Sequence, residues 1–175
     1  QGAQPFRAGD VVAPPSAAKG AYRFYRFKVD AQTGDGLQIS EIKLFNGTTD
    51  VTRAACRVHF DVTTRANGRF VLRSTFEPTL AFDGDLKTKW YDDRGGNPQT
   101  VHAVWVTLEY AKPIDVTRYE WYTADETGRY PFRSPAEWRF QGSNDNAAWT
   151  DLDVVKGART TVADATRAYV WEKGK

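Results

Sequence analysis

Between Ala81 and Trp90 the chain places two carboxylates and a hydroxyl around a glycine within six residues, Asp83-Gly84-Asp85-Leu86-Lys87-Thr88. Hard cations need several oxygen ligands at short range, and calcium accepts them from carboxylates, hydroxyls and backbone carbonyls. Asp83, Asp85 and Thr88 can supply such oxygens if the backbone curls around an ion. Gly84 permits the backbone angles that a curl demands. The same residues also spell an Asp-Gly turn between two strands, which needs no metal. The spacing is not that of an EF-hand loop, so both readings stand.

Other reactive side chains are sparse. The two histidines, His59 and His102, accompany no recognisable nucleophile motif. His102 sits in a strand-like run and suits a local hydrogen bond. Cys56 is the only cysteine, which excludes an intrachain disulfide and a cysteine zinc site. In the context Ala-Ala-Cys-Arg-Val it reads as a small buried apolar residue. A carboxylate pair for glycoside hydrolysis requires a close separation that sequence does not establish. The chain reads as non-catalytic.

The elements that must position these residues are strands. Ala21–Val29 is strand-like, with apolar positions that switch phase near Tyr25, where a bulge reconciles them. A turn at Thr33-Gly34-Asp35-Gly36 precedes a second strand over Leu37–Phe45, closed by the hairpin signal Asn46-Gly47. Arg57–Val62 is a weaker strand followed by a turn at Ala66-Asn67-Gly68. Val101–Tyr110 is a clear strand with Val104, Val106 and Leu108 on one face, stopped by Ala111-Lys112-Pro113. Val116–Thr123 resumes with Tyr119 and Trp121 inward, Trp138–Phe140 is short, and Arg167–Trp171 ends the series. Helical periodicity is nearly absent, and short strands between turn clusters predict an all-β sandwich or jelly roll.

Length and composition agree. The 175 residues suit one domain with a substantial core, over residues 21–175, after a leader at 1–20 rich in Ala, Pro and Gly that reads as a linker. Six Trp, eight Tyr and ten Phe supply large buried areas and leave a surplus for binding platforms. Trp105, Trp121, Trp138 and Trp149 are assigned to the core. A net charge of +2 with interspersed signs gives no nucleic-acid footprint. Arg65, Arg69 and Arg73 read as a solvated face. No apolar run approaches the roughly 20 residues that span a bilayer, and no signal-peptide pattern opens the chain.

One further constellation runs from Arg133 to Leu152: a strand, the tight polar turn Gly142-Ser143-Asn144-Asp145-Asn146, then Trp149. It resembles the W-x-(L/F)-x-G-S-N-D-x-x-x-W-x-x-L-D signature of discoidin-like domains, which include the family 32 carbohydrate-binding modules. Arg133–Trp138 is similar to that family's R-D-P-x-x-W, with Ser134 in place of the Asp. Thr123-Ala124-Asp125 resembles its T-A-N-D without the Asn. Ala81–Trp90 is similar to A-x-D-G-D-x-x-T-x-W. These segments follow family order and cover most of the chain. In many relatives a Tyr-Arg-x-x-Arg-Phe segment closes the domain, whereas here Tyr22–Phe45 opens it.

The resemblance implies a galactose-binding-domain-like β-sandwich with one structural calcium. Leu37-Gln38-Ile39-Ser40-Glu41-Ile42 is similar to the strand that brings a remote Glu to the loop. The implied ligands are therefore Asp83, Asp85, Thr88 and Glu41, with carbonyls of Leu80, Thr88 and Ser40. Magnesium would demand tighter octahedral geometry. The resemblance also implies a ligand site on loops at one end of the sandwich. An aromatic face there meets the apolar patch of a sugar, and polar side chains bond its hydroxyls. Two loops, Trp90–Asn97 and Asp125–Phe132, offer Tyr91, Arg94, Asn97, Arg129 and Tyr130 as candidates, against a reading in which these aromatics only pack and the arginines pair with nearby acids. The implied function is a carbohydrate-binding module that tethers a larger secreted or cell-surface protein to glycans, with other domains of that chain as possible neighbours. The alternative is a protein-interaction or adhesion module of discoidin type without sugar binding. Neither loop carries apolar spikes for membrane insertion.

Overall fold

The computed structural model describes residues 20–32, 34, 36–60, 76–92, 104–159 and 163–175. Period-two patterning builds β1 (Tyr22–Gln32), β2 (Leu37–Ile39), β3 (Glu41–Asn46), β4 (Thr49–Asp50), β5 (Arg57–Phe60), β6 (Trp90–Asp92), β7 (Val104–Ile114), β8 (Arg118–Tyr122), β9 (Pro135–Ser143), β10 (Thr150–Val155) and β11 (Arg167–Glu172). One sheet has the order β10-β9-β1-β7-β5, a second β11-β8-β3-β4, and β2 pairs with β6 alone. The pairings are antiparallel throughout. The chain is an all-β sandwich.

Alternation decides the core. Tyr25, Phe27 and Val29 of β1 point inward with Val106 and Leu108 of β7, against Ile42, Leu44, Tyr119 and Trp121 of the second sheet. Aromatic contacts join the sheets: Tyr119 lies 4.4 Å from Phe140 and 6.0 Å from Phe27, and Trp121 meets Trp138 edge-on at 5.7 Å. Such offset and edge-on rings add to the area they bury. A hydrogen-bonded staple crosses the same core. Trp138 Nε1 donates to the Tyr119 hydroxyl at 2.8 Å, and the Tyr119 and Tyr169 hydroxyls both donate to Asp153 Oδ2, at 2.7 and 3.1 Å.

Several expectations are corrected. The predicted strand Leu37–Phe45 breaks at Ser40 into β2 and β3, which enter different sheets. β1 does shift register close to Tyr25, between Tyr22 and Phe24 against β7, and it shifts again between Val29 and Gln32 against β9, where none was expected. β7 runs past the expected stop to Ile114, which pairs with Tyr22. Trp105 is only half-buried, because alternation that turns Val104 and Val106 inward turns it outward. Trp149 is also half-buried, at the approach to edge strand β10, with the Arg26 guanidinium 3.9 Å from its ring. Cys56 is exposed, since it leads into edge strand β5; its thiol donates to the Glu109 carbonyl at 3.3 Å. The leader up to residue 19, Thr33, Asp35, the Ala66-Asn67-Gly68 turn, Arg65, Arg69, Arg73 and His102 lie outside the described residues.

The strand register defines two poles. Glu41 pairs with Tyr122 and Tyr122 with Arg167 at one pole, while Phe45 pairs with Arg118 and Arg118 with Glu172 at the other. The second pole holds the polar turn: Asn144 Oδ1 accepts the Arg23 N–H at 3.0 Å, and its amide donates to the Ala21 carbonyl at 3.4 Å. Gly142 has no side chain because the Tyr22 ring lies against it; a Cβ there would sit 2.3 Å from that ring. The first pole gathers the acidic loop and the loop over 123–134.

A candidate cation loop and ligand-binding end

The acidic loop forms where a single-turn 3-10 helix, Pro78–Phe82, runs into Asp83. Gly84 has φ +83°, a left-handed conformation, and a Cβ there would come 2.6 Å from the Arg53 guanidinium. Glycine meets both constraints. The Gly84 N–H then donates to Glu41 Oε1 at 2.5 Å. Thr88 Oγ1 donates to Asp83 Oδ2 at 2.7 Å, and the Asp85 N–H donates to Asp83 Oδ1 at 2.8 Å. Ser40, at the break between β2 and β3, donates its hydroxyl to the carbonyls of Leu86 and Thr88, at 2.7 and 2.8 Å. That break therefore both turns Glu41 toward the loop and fastens the loop to the sheet.

Glu41 is 1 % exposed. Burial pushes its carboxyl up to about 7, helped by a hydrogen bond and charge repulsion from Asp83 and opposed by the Gly84 N–H. A buried carboxyl held against a second, half-buried one resists ionising beside it. A hard cation relieves that conflict, so Glu41, Asp83 and Thr88 fit the oxygen chemistry of calcium. The remaining expected ligands are placed differently. The Asp85 carboxylate is exposed and accepts the Lys87 N–H at 2.9 Å, while its carbonyl accepts the Thr88 hydroxyl. Leu80 sits in the 3-10 turn, its N–H on the Glu77 carbonyl. Among the described residues, no three His, Cys, Asp or Glu side chains form one metal-holding group.

Beside this loop lies a cluster of rings and cations. β6 presents Tyr91, paired with Gln38 of β2, and its ring meets Phe76 edge-on at 5.9 Å. Gly36 makes room for Tyr91, since a Cβ there would lie 3.0 Å from the ring. From the other loop, Tyr130 and Phe132 meet edge-on at 6.1 Å. Arg133 joins them: its guanidinium lies 4.0 Å from the Tyr130 ring and 4.9 Å from Tyr91. Arg129, exposed, lies 5.1 Å from Tyr130. Lys89, almost fully buried, reaches from the acidic loop to Asp125 at 3.1 Å and Glu126 at 2.5 Å. The Glu126 carbonyl in turn accepts the N–H groups of Arg129 and Tyr130.

Tyr91, Arg129 and Tyr130 thus share one end of the sandwich, whereas Arg94 and Asn97 lie outside the described residues. Arg133 was missed as a site residue. Its signal was its position directly after Tyr130-Pro131-Phe132, where it reads first as part of a family signature. Comparison with known family models, curated proteins and solved structures gives no match. The geometry therefore carries the functional reading.

Proposed function

We propose that this domain is a non-catalytic carbohydrate-binding module of the discoidin-like, galactose-binding-domain-like jelly-roll type. In this reading it tethers a larger secreted or cell-surface protein to glycans, and a structural calcium braces its loops. The observation that carries the reading is the convergence of Tyr91, Tyr130 and Phe132 with Arg129 and Arg133 at one pole. Rings bordered by directional donors are what a sugar needs, with its apolar C–H patches and its hydroxyls. Calcium at Glu41, Asp83 and Thr88 supplies charge neutralisation and rigidity. Lys89, next to Thr88, extends that bracing to the ligand loop through Asp125 and Glu126.

The rival adhesion reading requires a broad apolar patch. The exposed large apolar side chains among the described residues, Phe132, Val154 and Val170, sit on three different elements, which favours sugar. No helix among the described residues is long and apolar enough to cross a membrane. A glycan-array screen is the direct test: the wild type binds a defined subset, and Tyr91→Ala or Arg129→Ala lowers the signal about tenfold, the weight of one good contact. No hits across mammalian, plant and microbial glycans would sink the proposal.

A further inference from the structure

We propose a second site, at the pole opposite the ring-and-arginine cluster, that takes a small monoanion by its carboxylate. A cleft of about 370 Å³ opens there between the hairpin at Gly47-Thr48 and the paired ends of β8 and β11. That volume lies at the lower end of the range small-molecule sites occupy. Arg118, on its lining, carries the inference. The Arg118 guanidinium lies 3.8 Å from the ring of Phe45, its cross-strand neighbour. Its Nε is shut off from solvent and has no hydrogen-bond partner. Among the described residues no carboxylate reaches Arg118 as an ion pair. Glu172 feels its charge, but the Glu172 carboxylate is bonded to the Lys175 ammonium instead.

A guanidinium that only capped a ring would keep its donors in water or on a carbonyl, because a buried, unpaired N–H on a charged group is costly. Stacking on Phe45 fixes the long side chain beforehand, which lowers the ordering cost of binding. The rest of the lining selects the ligand. Thr117 is already engaged: its hydroxyl accepts the Gly47 N–H at 2.8 Å and faces the Phe45 carbonyl at 3.4 Å. Thr48 is exposed and adds a hydroxyl. The Lys173 ammonium, 2.6 Å from Asp115, adds positive charge. Arg118 and Lys173 together outweigh Glu172 by one charge, which matches a monoanion. A carboxylate accepts two parallel hydrogen bonds from the guanidinium fork. The Glu172 carboxylate penalises the second charge of a dianion such as sulfate.

The test titrates sodium glucuronate, sodium acetate and sodium sulfate into the whole protein at fixed ionic strength. The Nε–H signal of Arg118 is followed by NMR, and affinity by calorimetry. The expected result is a saturable shift of that signal by both carboxylates, each bound more tightly than sulfate. Arg118→Lys keeps a cation over Phe45 but loses the fork, and should weaken glucuronate about tenfold, the weight of one charge-assisted hydrogen bond. Lys112→Gln, which removes an equal charge from an exposed site on β7, should leave the affinity intact. The NMR shift is read on the wild type, so the test holds even if the Arg118 variant fails to fold. No saturable shift, an equal loss in the Lys112 variant, or sulfate bound as tightly as the carboxylates would each overturn the inference. The glycan array reports on the opposite pole, so its outcome leaves this site untouched.

Discussion

Glu41 is where residue-scale chemistry is most exposed to experiment. Its carboxyl is raised to about 7 in the folded chain from the ordinary 4.5. A group that holds its proton more tightly when folded adds stability in full below its unfolded value, and loses it as pH rises through the folded one. In chelator, the melting temperature should therefore fall between about pH 5 and pH 8, with a loss on the order of 3 kcal/mol for a shift of this size. Glu41→Gln should flatten that slope. Added calcium should raise the melting temperature most at the alkaline end, because it binds only the ionised carboxyl. Melting curves that ignore both pH and calcium would remove the cation from this loop. The Asp83–Thr88 cluster was legible as a candidate from residue types alone. Its partner Glu41 was not, since 42 positions separate it from Asp83 and only a family resemblance linked the two.

At the scale of elements, the break at Ser40 matters most. Its hydroxyl holds two carbonyls of the acidic loop, so Ser40→Ala leaves both without that donor. Each buried acceptor left unsatisfied costs about 1–3 kcal/mol. Ser40→Ala should destabilise the fold by about that much and weaken calcium binding, measured by denaturant unfolding and metal titration. The break had a visible signal: apolar residues fall at Leu37 and Ile39, then at Ile42 and Leu44, so the period-two phase slips across Ser40-Glu41. A slip of phase moves a strand's buried set to its other face. Reading Leu37–Phe45 as one strand overlooked it. The hairpin at Asn46-Gly47, by contrast, was fully legible, because Gly47 with φ +59° is a local demand met by local residues.

For the whole molecule, patterning and turn chemistry disclosed the fold class. Neither could reveal the sheet order, in which β1 lies between β9 and β7, because such partners meet only through distant pairing. The staple at Asp153 is another distant contact. Burial, with the nearby Asp153 carboxylate, pushes the Tyr119 hydroxyl far above its ordinary value, so it stays a proton donor. Asp153→Ala would strip the acceptor from two tyrosines of the opposite sheet and should cost about 2–4 kcal/mol in denaturant unfolding, with double-mutant cycles against Tyr119→Phe revealing coupling. A near-neutral Asp153→Ala would show that ring packing alone joins the layers.

The two poles have a practical corollary for how the molecule can be held. Gly20 lies against the Lys173 ammonium, which also pairs with Asp115 at 2.6 Å, so both ends of the described chain leave at the pole remote from Tyr91 and Tyr130. A chip or bead that grips the protein at Lys175 turns the ring-and-arginine face outward toward solution. Coupling through surface amines does the reverse for part of the population. Lys87 is exposed on the acidic loop, and attachment there buries that face against the support.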